Sequence, residues 1–266
     1  MGTSDKNSEQ QNTICLYAAD VRALRNSAFY ERAYEAVSDT RRDRTDRLAQ
    51  LSDRCRSLGA ELLLQYALKP YGISVRTAAF QENAYGKPYL AAHPEIHYSI
   101  SHSGDFVLLA VSDTPVGCDL EKTGTKELSA KKLRLAERFF CPAEYQDILN
   151  CAPEEQAARF YEYWTLKESL MKASGLGMKL PLSASAFAMR EEIRATAADV
   201  NTDSDPEYQA VLHKLSSGYY SFSLYNTIPG YQAALCVESP GSQNKLNLPE
   251  EISIVPLCDC FFEVCV

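Results

Sequence analysis

The sequence is poor in the features that take a chain out of the ordinary globular class. No stretch holds eighteen consecutive apolar residues, so a transmembrane helix is excluded. The first twelve residues, MGTSDKNSEQQN, lack the apolar core of a signal peptide and read as a disordered tail. Lys6 stands where an N-myristoylation site carries Ser or Thr, and the terminal EVCV is not a prenylation box. Positive charge is in deficit: 27 Lys and Arg face 35 Asp and Glu, a net −8. That balance argues against a nucleic-acid coat or a polybasic membrane anchor. The nine cysteines (15, 55, 118, 141, 151, 236, 258, 260 and 265) lack paired C-x-x-C spacing, so a structural zinc site is not indicated. They read as small buried hydrophobes in a reducing compartment. The expectation is a cytoplasmic chain with neither a nucleic-acid nor a membrane partner.

What remains is ordinary material for a core. The 266 residues are 45% apolar and 23% charged, enough for one large domain or two small ones. ICLYAADV (14–21) reads as a first strand and 22–54 as helical. RCRSLGAELLLQYALKPYG has helical apolar spacing stopped by Pro70 and Gly72. Residues 73–98 hold a Gly-Lys-Pro turn and short extended pieces. FVLLAVSD (106–113) and VGCDLEK (116–122) read as strands. KELSAKKLRLAERFF (126–140) reads as a basic amphipathic helix, with Leu128, Leu135, Ala136 and Phe139 on its apolar face. A helix follows near Pro142, and another spans 156–173, ended by the glycines of SGLGM. AFAMR, YQAVLHKL, YYSFSLYN and YQAALCVES read as strands, and 239–250 as a linker into an apolar tail. There is an internal echo. SLGAELLLQYALKPYG resembles TLKESLMKASGLG, and FVLLAVSD resembles YQAALCVES, in the same order.

Five clusters carry chemistry. Asp119 and Glu121 form D-x-E in a short strand, where period two puts both side chains on one face. Two or three such oxygens with waters and phosphates make a magnesium site, although for a lone D-x-E a solvent-facing pair at a strand end is the favoured reading. In WTLKESLMK, helical spacing i, i+4, i+8 puts Trp164, Glu168 and Lys172 on one face. The plain alternative is a surface Glu–Lys pair. In YSISHSG, His102 sits among serines and a glycine, a composition that lets backbone N–H groups approach an anion, or simply a polar turn. Gly86-Lys87-Pro88 presents one lysine on a turn. The arginines of 41–56 form either a solvated helix face or a phosphate clamp.

Together, in order, GKPYL, YSISHSGDFVLLAV, VGCDLEK, RFFCPAEY, FYEYWTLKESLMKASGLGM and PGYQAALCV resemble the 4′-phosphopantetheinyl transferase superfamily of the Sfp, surfactin-synthetase-activating, type. The resemblance runs from about residue 36 to 238. It implies an α+β, sandwich-like fold of two similar α/β subdomains related by a pseudo-twofold axis, with coenzyme A in the cleft between them. The corresponding division is a tail 1–12, an N-terminal subdomain 13–117, a C-terminal subdomain 118–240 and an extension 241–266. The implied reaction moves the 4′-phosphopantetheine arm of coenzyme A to a serine of an apo acyl or peptidyl carrier protein and releases adenosine 3′,5′-bisphosphate.

By motif match, Asp119, Glu121 and Glu168 hold Mg²⁺ on the pyrophosphate, and Lys172 neutralises charge on the leaving phosphate. The resemblance makes Glu168 a candidate base for the attacking serine, directly or through water, and Glu144, in CPAEY, an alternative metal-side or base carboxylate. Lys87, Ser101 and His102 contact coenzyme A, while Arg41, Arg44 and Arg56 take its 3′-phosphate. The basic face of Lys126, Lys131, Lys132, Arg134 and Arg138 is either a docking surface for an acidic carrier or a wet helix face. Length favours a monomer with an internal cleft. Two competing readings stay open: a non-catalytic module holding coenzyme A or a carrier, and a different magnesium enzyme acting on nucleotides.

Overall fold

The computed structural model describes residues 13–124, 127–189, 192–198, 205–241 and 246–261. The expected tail 1–12, Lys126 of the basic face, Cys265 and parts of the extension lie outside these residues. The order is β1 (Ile14–Asp20), α1 (Ser27–Ala36), α2 (Asp39–Asp46), α3 (Leu51–Leu68), β2 (Phe80–Glu82), β3 (Pro88–Leu90), β4 (His97–Ser103), β5 (Phe106–Ser112) and β6 (Val116–Lys122). Then come α4 (Ala130–Phe139), α5 (Pro142–Asn150), α6 (Pro153–Ser174), β7 (Ser185–Met189), β8 (Ile193–Ala197), α7 (Pro206–Ser216), β9 (Tyr220–Tyr225), β10 (Tyr231–Glu238) and β11 (Ser253–Ile254).

The mixed α+β fold is built in apolar layers. One sheet runs β11-β1-β5-β4 and another runs β6-β10-β9; β2-β3 and β7-β8 are small hairpins. β5 has both faces buried because alternate residues serve different layers. Val107, Leu109 and Val111 pack with Leu58, Leu62 and Leu63 of α3. Leu108 and Ala110 pack with Val116, Cys118 and Leu120 of β6 and Leu235 of β10, so the two sheets share an apolar layer. On the far side of the second sheet, Ala234 and Cys236 meet Phe160, Leu166 and Leu170 of α6. A continuous apolar run such as FVLLAV is what a strand covered on both faces needs. Burial also accounts for Cys55, Cys118, Cys141, Cys236 and Cys260, whereas Cys15 and Cys151 are half-buried and Cys258 is exposed. Burial pushes the Cys118 thiol up to about 11 and that of Cys260 up to about 12, which makes them inert packing groups.

Three sequence expectations change. YQAVLHKL lies in helix α7, not a strand: Asp205 caps its first turn, Pro206 begins it, and Tyr208, Val211 and Leu215 are buried at i, i+3, i+7. YSISHSG is mostly strand β4, with Tyr98 and Ile100 on the α3 side, rather than a turn. Phe139 ends α4 exposed, and its neighbour Phe140 enters the core instead, stacked on Phe160. The C-terminal segment also gains a place. β11 pairs in parallel with β1, covering that edge, and Leu257 and Cys260 join the core under α3. Among the described residues no helix is long and apolar enough to cross a membrane.

Candidate active site

The site begins with a missing side chain. Gly117, Asp119 and Glu121 share one face of β6, opposite Cys118 and Leu120. A Cβ on Gly117 would overlap the carbonyl of Ser169 and the backbone of Ala173, so α6 lies directly on the strand. That close approach brings the face of α6 with Trp164, Glu168 and Lys172 over the two carboxylates. Lys172 Nζ donates to Asp119 Oδ1 at 2.7 Å and to the carbonyl of Cys118 at 3.1 Å. The Trp164 side chain lies beside the Glu121 carboxylate, and its ring is stacked on Phe160 at 5.9 Å. The D-x-E pair and the helical triad are therefore one constellation.

The electrostatics are those of crowded acids beside a single cation. Burial and the neighbouring Asp119 hold the Glu121 carboxyl above the usual glutamate range. The same two causes, in the same order, raise Glu168. Burial opposes the charge of Lys172, but Asp119 outweighs it, and the ammonium titrates above an ordinary lysine. Asp119 Oδ2 is buried and has no hydrogen-bond partner. Among the described residues no three Asp, Glu, His or Cys side chains are drawn into a closed metal-binding cluster. Asp119 is instead turned to Lys172 and to Ser101. Crowded acids and an orphaned buried oxygen still suit a hard divalent cation, which completes its shell with water and phosphate oxygens.

The other expected site residues divide. Ser101 is buried, donates to Asp119 Oδ1 at 2.7 Å and accepts from the N–H of Leu120 at 3.3 Å. Its hydroxyl thus serves the carboxylate site. His102 points to the other face of β4, exposed at its surface. Partial desolvation, then the charge of Arg56, lowers its pKa, so it is a neutral imidazole at physiological pH. Arg56 Nη1 donates to the carbonyl of Gly104 at 2.8 Å, and its other terminal nitrogen pairs with Asp53. Arg56 and His102 therefore flank the mouth of the β4–β5 hairpin. Arg41 pairs with buried Glu61 at 3.1 Å, while Arg44 is exposed on α2.

Two expected residues sit elsewhere. Lys87 Nζ donates to the carbonyls of Val116 and Ala173 at 3.1 and 3.2 Å, while Asn83 donates to Gly175 at 2.9 Å. The β2–β3 hairpin thereby caps the carbonyl end of α6. Glu144 is buried, paired with Lys167 at 2.9 Å, and accepts from the N–H groups of Cys141 and Phe187. Lys167 also donates to the carbonyls of Leu182 and Ser185. This sealed pair ties α5, α6 and β7 together and leaves Glu144 no open side from which to take a substrate proton. Neighbouring Lys167 and Glu168 are separated by the turn of the helix, one facing the core and the other the site.

The arrangement can be set beside known proteins. Residues 115–236 match the 4′-phosphopantetheinyl transferase superfamily, and residues 26–114 match the family of 4′-phosphopantetheinyl transferase N-terminal regions. 4′-Phosphopantetheinyl transferase Sfp of Bacillus subtilis is 31% identical over 226 residues, covering 85% of this chain and 90% of the relative. 4′-Phosphopantetheinyl transferase psf-1 of Bacillus pumilus is 32% identical over 213 residues, 80% of this chain and 83% of the relative. The chain is a member of the 4′-phosphopantetheinyl transferase superfamily, of the Sfp type. It is an enzyme of that transferase class.

Within this transferase, residue types alone missed Gly117, Ser99 and Ser103, and named Ser101 for coenzyme A without its place beside Asp119. The glycine was legible only as part of a strand, because nothing local says that a helix will lie on it. The serines carried a signal in their period of two, which marks one face of a strand. Two cavities lie apart from the carboxylates. One of about 300 Å³ is lined by Gln65, Ile73, Val75 and Arg76 among others, far along α3 from Arg56. The other, about 290 Å³, lies beside α4, between Lys122, Lys132 and Tyr161.

Proposed function

We propose that this transferase moves the 4′-phosphopantetheine arm of coenzyme A to a serine hydroxyl of an apo carrier protein, releasing adenosine 3′,5′-bisphosphate. The observation that carries the reading is the convergence of Asp119, Glu121, Glu168 and Lys172 where α6 lies on β6, in a chain of this superfamily. Asp119, Glu121 and Glu168 are the residues that would hold Mg²⁺. When bound, the ion would neutralise the pyrophosphate and the charge that grows on the leaving phosphate. Lys172, kept protonated by Asp119, supplies a second positive charge to the same oxygens. Glu168, half-buried and made more basic by desolvation, accepts the proton of the attacking serine. Arg56 and His102 receive the nucleotide end of coenzyme A, and Arg41 and Arg44 on α2 extend that positive surface to its 3′-phosphate.

The shared strand order supports the proposed pseudo-twofold. In β1-β5-β4 and in β6-β10-β9 the last strand in sequence lies in the middle, and a long helix packs on each sheet. The carrier docks across α4, where Lys131, Arg134 and Arg138 are exposed and Lys132 lies on the ring of Tyr161. The chain acts as a cytoplasmic monomer on acyl or peptidyl carriers. The test is intact-protein mass spectrometry of an apo carrier incubated with the protein, coenzyme A and Mg²⁺. Gain of one phosphopantetheine, lost with EDTA and in Glu168→Ala, is the expected result. No gain across a panel of acyl and peptidyl carriers, with coenzyme A still bound, would replace transfer with a binding role.

A further inference from the structure

β4 and β6 belong to different sheets, yet they lie side by side without a shared backbone ladder. Serine hydroxyls take the place of carbonyl acceptors along the junction. Ser99 Oγ accepts from Cys118 N at 3.1 Å, Ser101 Oγ from Leu120 N at 3.3 Å, and Ser103 Oγ from Lys122 N at 3.0 Å. A carbonyl only accepts, whereas a hydroxyl also has a proton to give. The strand N–H occupies one side of each oxygen and so restricts where that proton can point. Ser101 gives it to Asp119 Oδ1 at 2.7 Å, and Ser103 gives it to Glu121 Oε2 at 3.0 Å. Ser99 stands level with Gly117, where β6 offers no carboxylate.

We infer that Ser103, with Ser101, is a positioning residue: its hydroxyl joins the two sheets and turns the carboxylate of Glu121 to hold a divalent cation. This rests on the reading that Asp119, Glu121 and Glu168 hold such an ion. The orphaned Asp119 Oδ2 is the counterpart at the other carboxylate: Ser101 and Lys172 both occupy Oδ1 and leave Oδ2 for a ligand. Ser99 provides a control within the same row, since it makes the junction bond without a carboxylate partner.

The experiment measures Mn²⁺ binding to the full chain by electron paramagnetic resonance of the free ion, with thermal melts in EDTA beside it. The set is the wild-type protein, Ser99→Ala, Ser103→Ala and Ser103→Thr. Both alanine variants are expected to melt at lower temperature, each having lost one acceptor for a β6 N–H. Only Ser103→Ala is expected to weaken Mn²⁺, by about tenfold, as one hydrogen bond to a charged group is lost. Ser103→Thr restores the hydroxyl and the affinity. Ser101→Ala, expected to weaken Mn²⁺ likewise, covers the case in which Ser103→Ala does not fold. Equal weakening in Ser99→Ala and Ser103→Ala, or unchanged affinity in Ser103→Ala, would reduce the row to a sheet junction and overturn the inference. A wild-type chain that binds no Mn²⁺ would instead overturn the cation reading, and this inference with it.

Discussion

Glu121 and Glu168 are acids kept where their charge is costly. Burial, then Asp119, raises both pKa values, so the folded protein holds these protons to higher pH than the unfolded chain. Above the ordinary glutamate value of about 4.3, the folded state loses stability as pH rises through the raised values. A divalent cation held there, as proposed, would remove that penalty by pairing with the ionised carboxylates. The stabilisation by Mg²⁺, read as the rise in melting temperature, is therefore expected to be small near pH about 4.3 and to grow toward neutrality. In Asp119→Asn it is expected to vanish at every pH; a rise that survives would place the ion elsewhere. Lys87 works in the opposite sense. Burial lowers its pKa to about 8, against about 10.4 for an unfolded lysine. Between those values the unfolded chain binds the extra proton, so Lys87 makes stability rise with pH across that window. Buried thiols with raised pKa, such as Cys118, pull the other way, so in denaturant melts across that window the slope of stability with pH is expected to be more positive in wild type than in Lys87→Met. Neutral Lys87 still has two N–H groups for the carbonyls of Val116 and Ala173.

Among the elements, the contact of α6 with β6 decides whether a site exists. Gly117 is small because the backbone of α6 occupies the space of its side chain. Gly117→Ala must push the helix away from the strand. A loss of about 1–3 kcal/mol in denaturant unfolding is expected, the ordinary cost of overpacking. Transfer is expected to fall by much more than that loss of stability would cause, because Glu168 and Lys172 retreat from Asp119 together. Full transfer in a destabilised Gly117→Ala would separate the packing from the chemistry. The other fixings of α6 are polar and local to its ends and middle. Lys87 and Asn83 cap its last carbonyls, and Lys167–Glu144 anchors its buried side. A buried ion pair of this kind contributes most when intact, since removing one partner strands the other charge.

For the whole molecule, a net charge of −8 coexists with a basic helix. An overall negative field repels an acidic carrier unless it approaches the exposed Lys131, Arg134 and Arg138 of α4. The double variant Arg134→Glu with Arg138→Glu is expected to raise KM for the carrier about tenfold or more at low salt, with KM for coenzyme A unchanged. Added salt is expected to narrow the difference from wild type. An equal change in both KM values would mean that α4 shapes the site rather than the encounter.

Whatever depends on local periodicity was legible along the chain. Period two put Asp119 and Glu121 on one face, and helical spacing put Trp164, Glu168 and Lys172 on another. The apolar runs marked β5, β6 and β10, and the combined motifs marked the superfamily. In YQAVLHKL a β-prone composition gives way to the cap and spacing of a short helix. Which faces meet is set by packing between distant segments. That packing joined the D-x-E strand to the triad through Gly117, turned the serines of YSISHSG into a junction that orients carboxylates, and sent Lys87 to the end of α6. It also closed Glu144 inside a pair with Lys167. The reason is physical: periodicity fixes the direction of a side chain from its own element, but its partner comes from a segment tens of residues away, chosen by the burial of the whole core.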